Sequence, residues 1–234
     1  MHPRHRAALA PVIVLAAGLG AAPAAQAATV ASQVPCVRYV PGVKSFPLVA
    51  TGFPAGAALT FSADGSSFGR GQADPAGNFD NAADPFFPPT LPFGKNLRTY
   101  DITVDDGQGT IAGPVRVPVS RITVVAPSRS KPTRRVRFRV FGFLPGRRTY
   151  LHVRRNGRTK GRFSLGRTQG PCGTLTKRMR FMPVRNYRTG TYRYYFSHSR
   201  RFKKTQAIYQ ARVRIYRTFS SASAAQATAA GDWG

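Results

Sequence analysis

The segment Val136–Gly157 reads VRFRVFGFLPGRRTYLHVRRNG. Val136, Phe138 and Val140 alternate with Arg137 and Arg139, and strict alternation is the mark of a strand with one face on a core and one in water. Gly142-Phe143-Leu144-Pro145-Gly146 breaks the run. Thr149–Arg155 starts a second strand, and Asn156-Gly157 closes it with a two-residue hairpin turn. A fainter copy, LVATGFPAGAALTFSADG, occupies Leu48–Gly65, about 90 residues upstream. One β-rich unit is therefore used twice.

Working outward, the same landmarks recur in the same order. In the first unit Pro35–Val40 and Ser45–Thr51 read as strands, and Thr29–Val34 as a loose leader. Gly52–Gly56 is a turn, Ala58–Ala63 a strand closed by Asp64-Gly65, and Phe68–Gln72 its return. Asp74-Pro75-Ala76-Gly77 is a turn with proline at its second position. Asn81–Asn96 holds Pro85, Pro88, Pro89 and Pro92 and reads as a long surface loop. Thr99–Asp105 alternates again, and Val115–Val125 is an extended run that Pro118 should break. In the second unit the strands fall at Arg134–Phe141, Thr149–Arg155, Thr159–Leu165, Thr174–Phe181, Thr191–Ser197 and Ala207–Tyr216. Gly170-Pro171-Cys172-Gly173 takes the place of Asp74–Gly77, and Thr191-Tyr192 that of Thr99-Tyr100. Arg121–Ala126 either opens this unit or completes the one before it.

About seven short strands per unit, with no amphipathic helix, predict an all-β chain of two tandem immunoglobulin-like antiparallel β-sandwiches. A β-barrel is the structural alternative. The expected layout is a signal peptide at 1–27, a near-neutral sandwich at 28–120, a strongly basic one at 121–219, and a disordered Ala/Ser-rich tail at 220–234. The leader has a basic start (Arg4, Arg6), an apolar run Ala7–Ala22 and a small-x-small site at Ala25-Gln26-Ala27. No later stretch has the roughly 20 apolar residues of a membrane helix. A secreted or extracellular location, wall-associated, follows as an expectation.

Charge divides the chain. Residues 28–126 hold seven Lys or Arg and seven Asp, whereas residues 127–219 hold 27 Lys or Arg and no acid. Such an imbalance costs stability through self-repulsion and attracts anions.

The strings CVRYV, GF-x-x-G, ADPAGNF, YLHVRRNG, GPCG and GTY resemble those of secreted actinobacterial proteins of unassigned role built from tandem immunoglobulin-like repeats. They resemble bacterial immunoglobulin-like surface repeats more loosely. The resemblance spans most of Cys36–Phe219. It implies fold and export. Its motifs are turns and core positions, so it carries over no reaction and no catalytic residue.

The chemistry therefore rests on the arginines. Arg135, Arg137 and Arg139, Arg178 and Arg180, and Arg212 and Arg214 alternate with apolar residues and should face solvent. In immunoglobulin-like order the strands at 134–141 and 174–181 are neighbours, so their arginines should form a like-charged ladder. This makes the seven arginines candidates for polyanion binding. A solvated face of long side chains covering apolar surface is the alternative. The polyanion would be an anionic envelope polymer of teichoic type or anionic lipid. Nucleic acid would be bound without sequence specificity, since the rings Tyr192, Tyr194, Tyr195 and Phe196 read mostly as core rather than as stacking platforms. A carbohydrate- or adhesin-type module using the first unit's proline-rich loop is the other functional reading.

Cys36 and Cys172, the only cysteines, are expected to form a disulfide between the units; two buried thiols are the alternative. His152 alternates with Leu151 and Val153 and should face solvent. Neither it nor His198 has metal-ligand spacing. Asp105-Asp106 precedes Gly107 and reads as a turn. No cofactor fingerprint, phosphate loop or nucleophile motif appears, so the reading is non-catalytic, with no metal and no cofactor.

Overall fold

The computed structural model describes residues 27–127 and 130–216. The expected tail, the expected leader up to Gln26, and Ser128 and Arg129 of the connecting loop lie outside the described residues. Those described form strands in four sheets, with a single 3-10 turn at Lys204–Gln206.

The N-terminal half contains β1 (Thr29–Ser32), β2 (Val37–Arg38), β3 (Leu48–Thr51), β4 (Ala58–Ala63), β5 (Ser66–Gln72), β6 (Phe79–Asp80), β7 (Leu97–Asp105) and β8 (Ile111–Ser120). They make a three-stranded sheet, β1-β3-β6, and a five-stranded sheet, β2-β8-β7-β4-β5. The C-terminal half contains β9 (Thr123–Val125), β10 (Arg135–Phe141), β11 (Arg148–Arg155), β12 (Arg158–Arg167), β13 (Leu175–Arg180), β14 (Gly190–Ser197) and β15 (Tyr209–Ile215). These form β13-β10-β9 and β12-β11-β14-β15. From β3 in the N-terminal half and β10 in the C-terminal half, the chain leaves the smaller sheet to lay a hairpin in the larger, returns for one strand and crosses back. This is immunoglobulin-like sandwich topology.

Alternation builds a separate core in each half. Leu48 and Ala50 meet Leu59, Phe61, Ile102 and Val104 in the first. Val136, Phe138 and Val140 meet Leu151, Val153, Tyr194 and Phe196 in the second. The repeated landmarks turn out to touch. Gly77 has φ +77 and Gly173 has φ +55, and an added Cβ would lie 2.1 Å from Phe53 O and 1.7 Å from Phe143 O respectively. The Pro-x-Gly turn of each half is thus seated on the Gly-Phe turn, and only glycine fits there. Tyr100 and Tyr192 open equivalent strands. Each donates its hydroxyl to an upstream carbonyl, Tyr100 to Thr90 and Tyr192 to Arg188, the latter at 2.9 Å. That is the tyrosine-corner arrangement of this fold.

Several expectations need correction. Thr29–Val34 is not a loose leader, because Thr29–Ser32 pairs with Leu48–Thr51 and buries Val30. The sandwiches are not wholly antiparallel, since β2 runs parallel to β8 through Val37↔Val119 and Arg38↔Ser120. Pro118 does not break its strand. β2 reaches only Val119 and Ser120, so Pro118 lies on an open flank where a missing N–H is tolerated. β9, beyond it, pairs with β10. The proline-rich segment is only partly a surface loop. Pro88, Pro89 and Leu91 are buried, and Phe86 pairs with Phe46 and packs on Phe61 and Phe79 at ring separations of 4.9 and 5.9 Å.

Candidate functional site

β10 and β13 pair antiparallel with Arg135 opposite Arg180 and Arg137 opposite Arg178, while Arg139 faces Thr176. Val136, Phe138 and Val140 are buried beneath them, so the arginines emerge on the outer face of the small sheet. Two adjacent Arg–Arg rungs cost stability in isolation, because like charges directly across strands repel. Among the described residues no carboxylate pairs with them. The described ion pairs, Lys44–Asp84, Arg98–Asp64 and Arg116–Asp101, all lie in the N-terminal half.

Arg212 and Arg214 do not join this ladder. They lie on β15, in the opposite sheet, while Tyr209, Ala211 and Val213 of that strand pack inward. Pattern alone gives the same exposed alternation to both sheets and cannot say which face of the sandwich a strand serves. Arg212 instead ends a row that crosses the large sheet, with Arg154 opposite Arg193 and Arg193 opposite Arg212. Sequence reading passed over this row because cross-strand register is not a local property.

The large sheet is also covered where it was expected to be open. His152 points to the outer face, as its alternation implies, yet is only 1% exposed. The segment after β14 folds back over it. Phe202 sits 5.5 Å from the His152 ring and 5.0 Å from the Tyr195 ring, and the Arg154 guanidinium lies 4.2 Å from the Phe202 centroid. His152 Nε2 donates to Ser199 O at 3.0 Å, with Ser197 Oγ at 3.2 Å. Burial pushes its pKa down, and Arg162 adds to that; the Ser199 bond opposes it. His198 Nε2 accepts from Leu144 N–H at 3.2 Å, which leaves Nδ1–H to donate to Arg148 O at 3.2 Å. Both imidazoles are thus occupied in fastening backbone.

The rings of β14 divide as alternation requires. Tyr192, Tyr194 and Phe196 are core, and Tyr195 lies under Phe202. Tyr194 donates to Phe181 O at 2.5 Å, and burial raises its pKa far above the tyrosine range.

Asp74 and Asp106 serve turns. Asp74 Oδ1 accepts Ala76 N–H and Asn78 N–H, and Asp106 Oδ1 accepts Gln108 N–H and Thr110 N–H. Among the described residues no cluster of three or more His, Cys, Asp or Glu side chains comes together that could hold a metal ion. Cys36 and Cys172 are bonded, with Cα atoms 5.1 Å apart. A cleft of about 520 Å³ lies in the N-terminal half between the β4–β5 hairpin and the proline-rich segment, with Phe68, Phe87, Pro89 and Tyr100 on its walls.

The strand order and these faces define a class: an immunoglobulin-like double sandwich whose C-terminal half presents arginine on both outer faces. No protein-family model and no curated protein matches the chain. Among solved structures it is similar to the human OSCAR ligand-binding domain, at 15% identity over 72% of this chain and 88% of that one, with a TM-score of 0.30. It is also similar to the fibronectin(III)-like modules of Clostridium thermocellum CbhA, at 12% identity over 81% and 93%, with a TM-score of 0.26. Likenesses this faint carry no argument, and the assignment rests on strand order. Among the described residues no helix is long and apolar enough to cross a membrane.

Proposed function

We propose that this chain is a non-catalytic, secreted binding protein that associates with the cell envelope by holding a polyanion on its basic C-terminal half. The observation that carries the reading is the pair of Arg–Arg rungs, Arg135↔Arg180 and Arg137↔Arg178, in a half without one acidic residue from 127 to 219. Each guanidinium fork can take two oxygens of a phosphate or carboxylate. A bound polyanion relieves the repulsion and adds charge-assisted hydrogen bonds, so it stabilises the folded state it prefers. Secretion is supported by the leader-like N-terminus and by a disulfide, which persists in oxidising compartments. The non-catalytic reading is supported by the engagement of both imidazoles with backbone groups.

The test uses the chain without its leader. Its melting temperature should rise with long-chain polyphosphate or a teichoic-type polymer, and the gain should shrink as salt is raised. A gain indifferent to salt, or none, contradicts the reading. The cleft walled by Phe87, Pro89 and Tyr100 favours a second reading, a carbohydrate- or adhesin-type module using N-terminal loops. Ring–sugar contact would bind with little salt dependence, so the same salt series separates the two.

A further inference from the structure

A second cation cluster of the C-terminal half surrounds the tip of the β11–β12 hairpin, where Asn156 and Gly157 have φ values of 47° and 73° and turn the chain sharply. Two clefts meet there. One, of about 410 Å³, opens on the outer face of the large sheet and is lined by Arg154, Arg155, Arg193 and Lys204. The other, of about 640 Å³, opens at the end of the sandwich and is lined by Arg155, Arg158, Lys160 and Arg188. Arg155 and Asn156 line both, so the clefts adjoin across the hairpin tip as a two-part groove. Each volume falls in the range of about 300–1,000 Å³ typical of ligand sites. Neither has an acidic residue in its wall.

Three features separate this groove from the ladder. It is concave, and low-dielectric walls of one sign focus the field more than a flat sheet face does. Its central cation is held in place, with the Arg155 guanidinium 5.4 Å from the Tyr192 ring, whose hydroxyl is fixed to the Arg188 backbone. A second cation is held as well: Arg154 packs on Phe202 and gives Nη2–H to the Gly157 carbonyl.

We propose that this groove is a binding site for a flexible phosphate polymer, one chain of which bends around Arg155 from the outer face to the end of the sandwich. The inference rests on the polyanion reading above and gives it a location and a ligand chemistry. A narrow, flexible chain can follow a bend that a planar lipid surface cannot, and a tetrahedral phosphate offers oxygens to cations on both walls. The ladder then contributes long-range attraction, and the groove the contacts that hold the ligand.

The experiment measures affinity of the leaderless full chain for long-chain inorganic polyphosphate at physiological salt. Arg155→Gln with Arg193→Gln removes two charges from the groove. Arg135→Ser, Arg137→Ser and Arg139→Ser together remove three from the ladder. The groove pair should lose about tenfold or more, because charge-assisted hydrogen bonds go with the charge. The ladder triple should lose about threefold or less, the scale of exposed screened charges. Arg155→Lys, which keeps the charge but not the fork, should lose affinity without losing melting temperature, separating recognition from folding. A loss that follows only the number of charges removed would overturn the groove and leave polyanion binding standing. Anionic phospholipid vesicles bound as tightly as polyphosphate, and insensitive to the groove changes, would also overturn it. Failure of the wild-type chain to bind polyphosphate at all would overturn both.

Discussion

Phe138 shows how a single side chain fixes the arginines. It is 1% exposed, on the strand whose flanking residues Arg137 and Arg139 face water. Its ring centroid lies 6.5 Å from that of Phe196 across the sandwich. A one-residue slip would bring Arg137 and Arg139 inward, so burial of Phe138 is what makes the ladder face outward. Phe138→Ala should destabilise the C-terminal half by about 3–5 kcal/mol, read as a lowered midpoint in denaturant unfolding. A change below about 1 kcal/mol would mean the pocket collapses freely around the loss. This register was legible in the sequence because period-two alternation is local. Burial of His152 was not, because it depends on Phe202, fifty residues further on and without a pattern of its own, folding back onto the sheet. The one available signal was an isolated aromatic in a basic stretch, Arg200-Arg201-Phe202-Lys203-Lys204.

At the scale of elements, that returning segment and β11 form a covered seam whose chemistry depends on pH. His152 under the segment and His198 at its root both have lowered pKa values, chiefly through burial, with arginines adding to the effect. The groups involved beside His152 and His198 are Arg162 and Arg147, with no carboxylate in this half. A histidine depressed in the folded state binds fewer protons there than in the unfolded chain, where its pKa is about 6.5. The stability it confers is full above that value and is lost as pH falls through it toward the folded pKa. Melting temperature should therefore fall between about pH 7 and 5, a window in which the ordinary carboxylates stay ionised. His152→Phe should flatten that fall. A melting temperature that stays level or rises across the window would show that neither imidazole is held neutral. The elements themselves were largely legible, Ala58–Ala63 to the residue, since alternation and hairpin turns mark them. β1 was not, because a four-residue strand with one buried apolar residue, Val30, carries too short a pattern. The packed proline-rich segment was not either, because prolines mark the absence of a ladder without marking exposure.

For the whole molecule the question is what joins two sandwiches with separate cores. Among the described residues no sheet contains strands from both halves. The disulfide Cys36–Cys172 spans 136 residues and lies where the chain passes from one half to the other. On one side, Tyr39 N–H donates to Ser120 O at 2.9 Å and the Arg121 guanidinium lies 5.5 Å from the Tyr39 ring. On the other, Gly142 N–H donates to Cys172 O at 3.0 Å, and Gly142 lies so close to the Arg121 carbonyl that an added Cβ would come within 2.7 Å. The cysteines therefore staple the two flanks of the Ser120–Ile122 crossing. Pairing was an expectation from compartment and count; this placement was not, because it requires knowing that the Gly-Phe turn and the Pro-Cys-Gly turn meet. Closing so long a loop contributes about 4–5 kcal/mol in the chain-entropy model. Non-reducing peptide mapping should recover Cys36 and Cys172 in one linked fragment, and two free thiols per denatured, unreduced chain would refute the pairing. Cys36→Ser with Cys172→Ser should then do more than lower stability. With the staple gone, the crossing segment and its local bonds join halves that each have their own core, so one cooperative transition should resolve into two. The half carrying 27 uncompensated cations should melt first at low salt, and added polyphosphate should move that transition alone. A variant that still melts in one step, with both halves shifted equally by polyphosphate, would show that noncovalent contact at the crossing, rather than the staple, couples them.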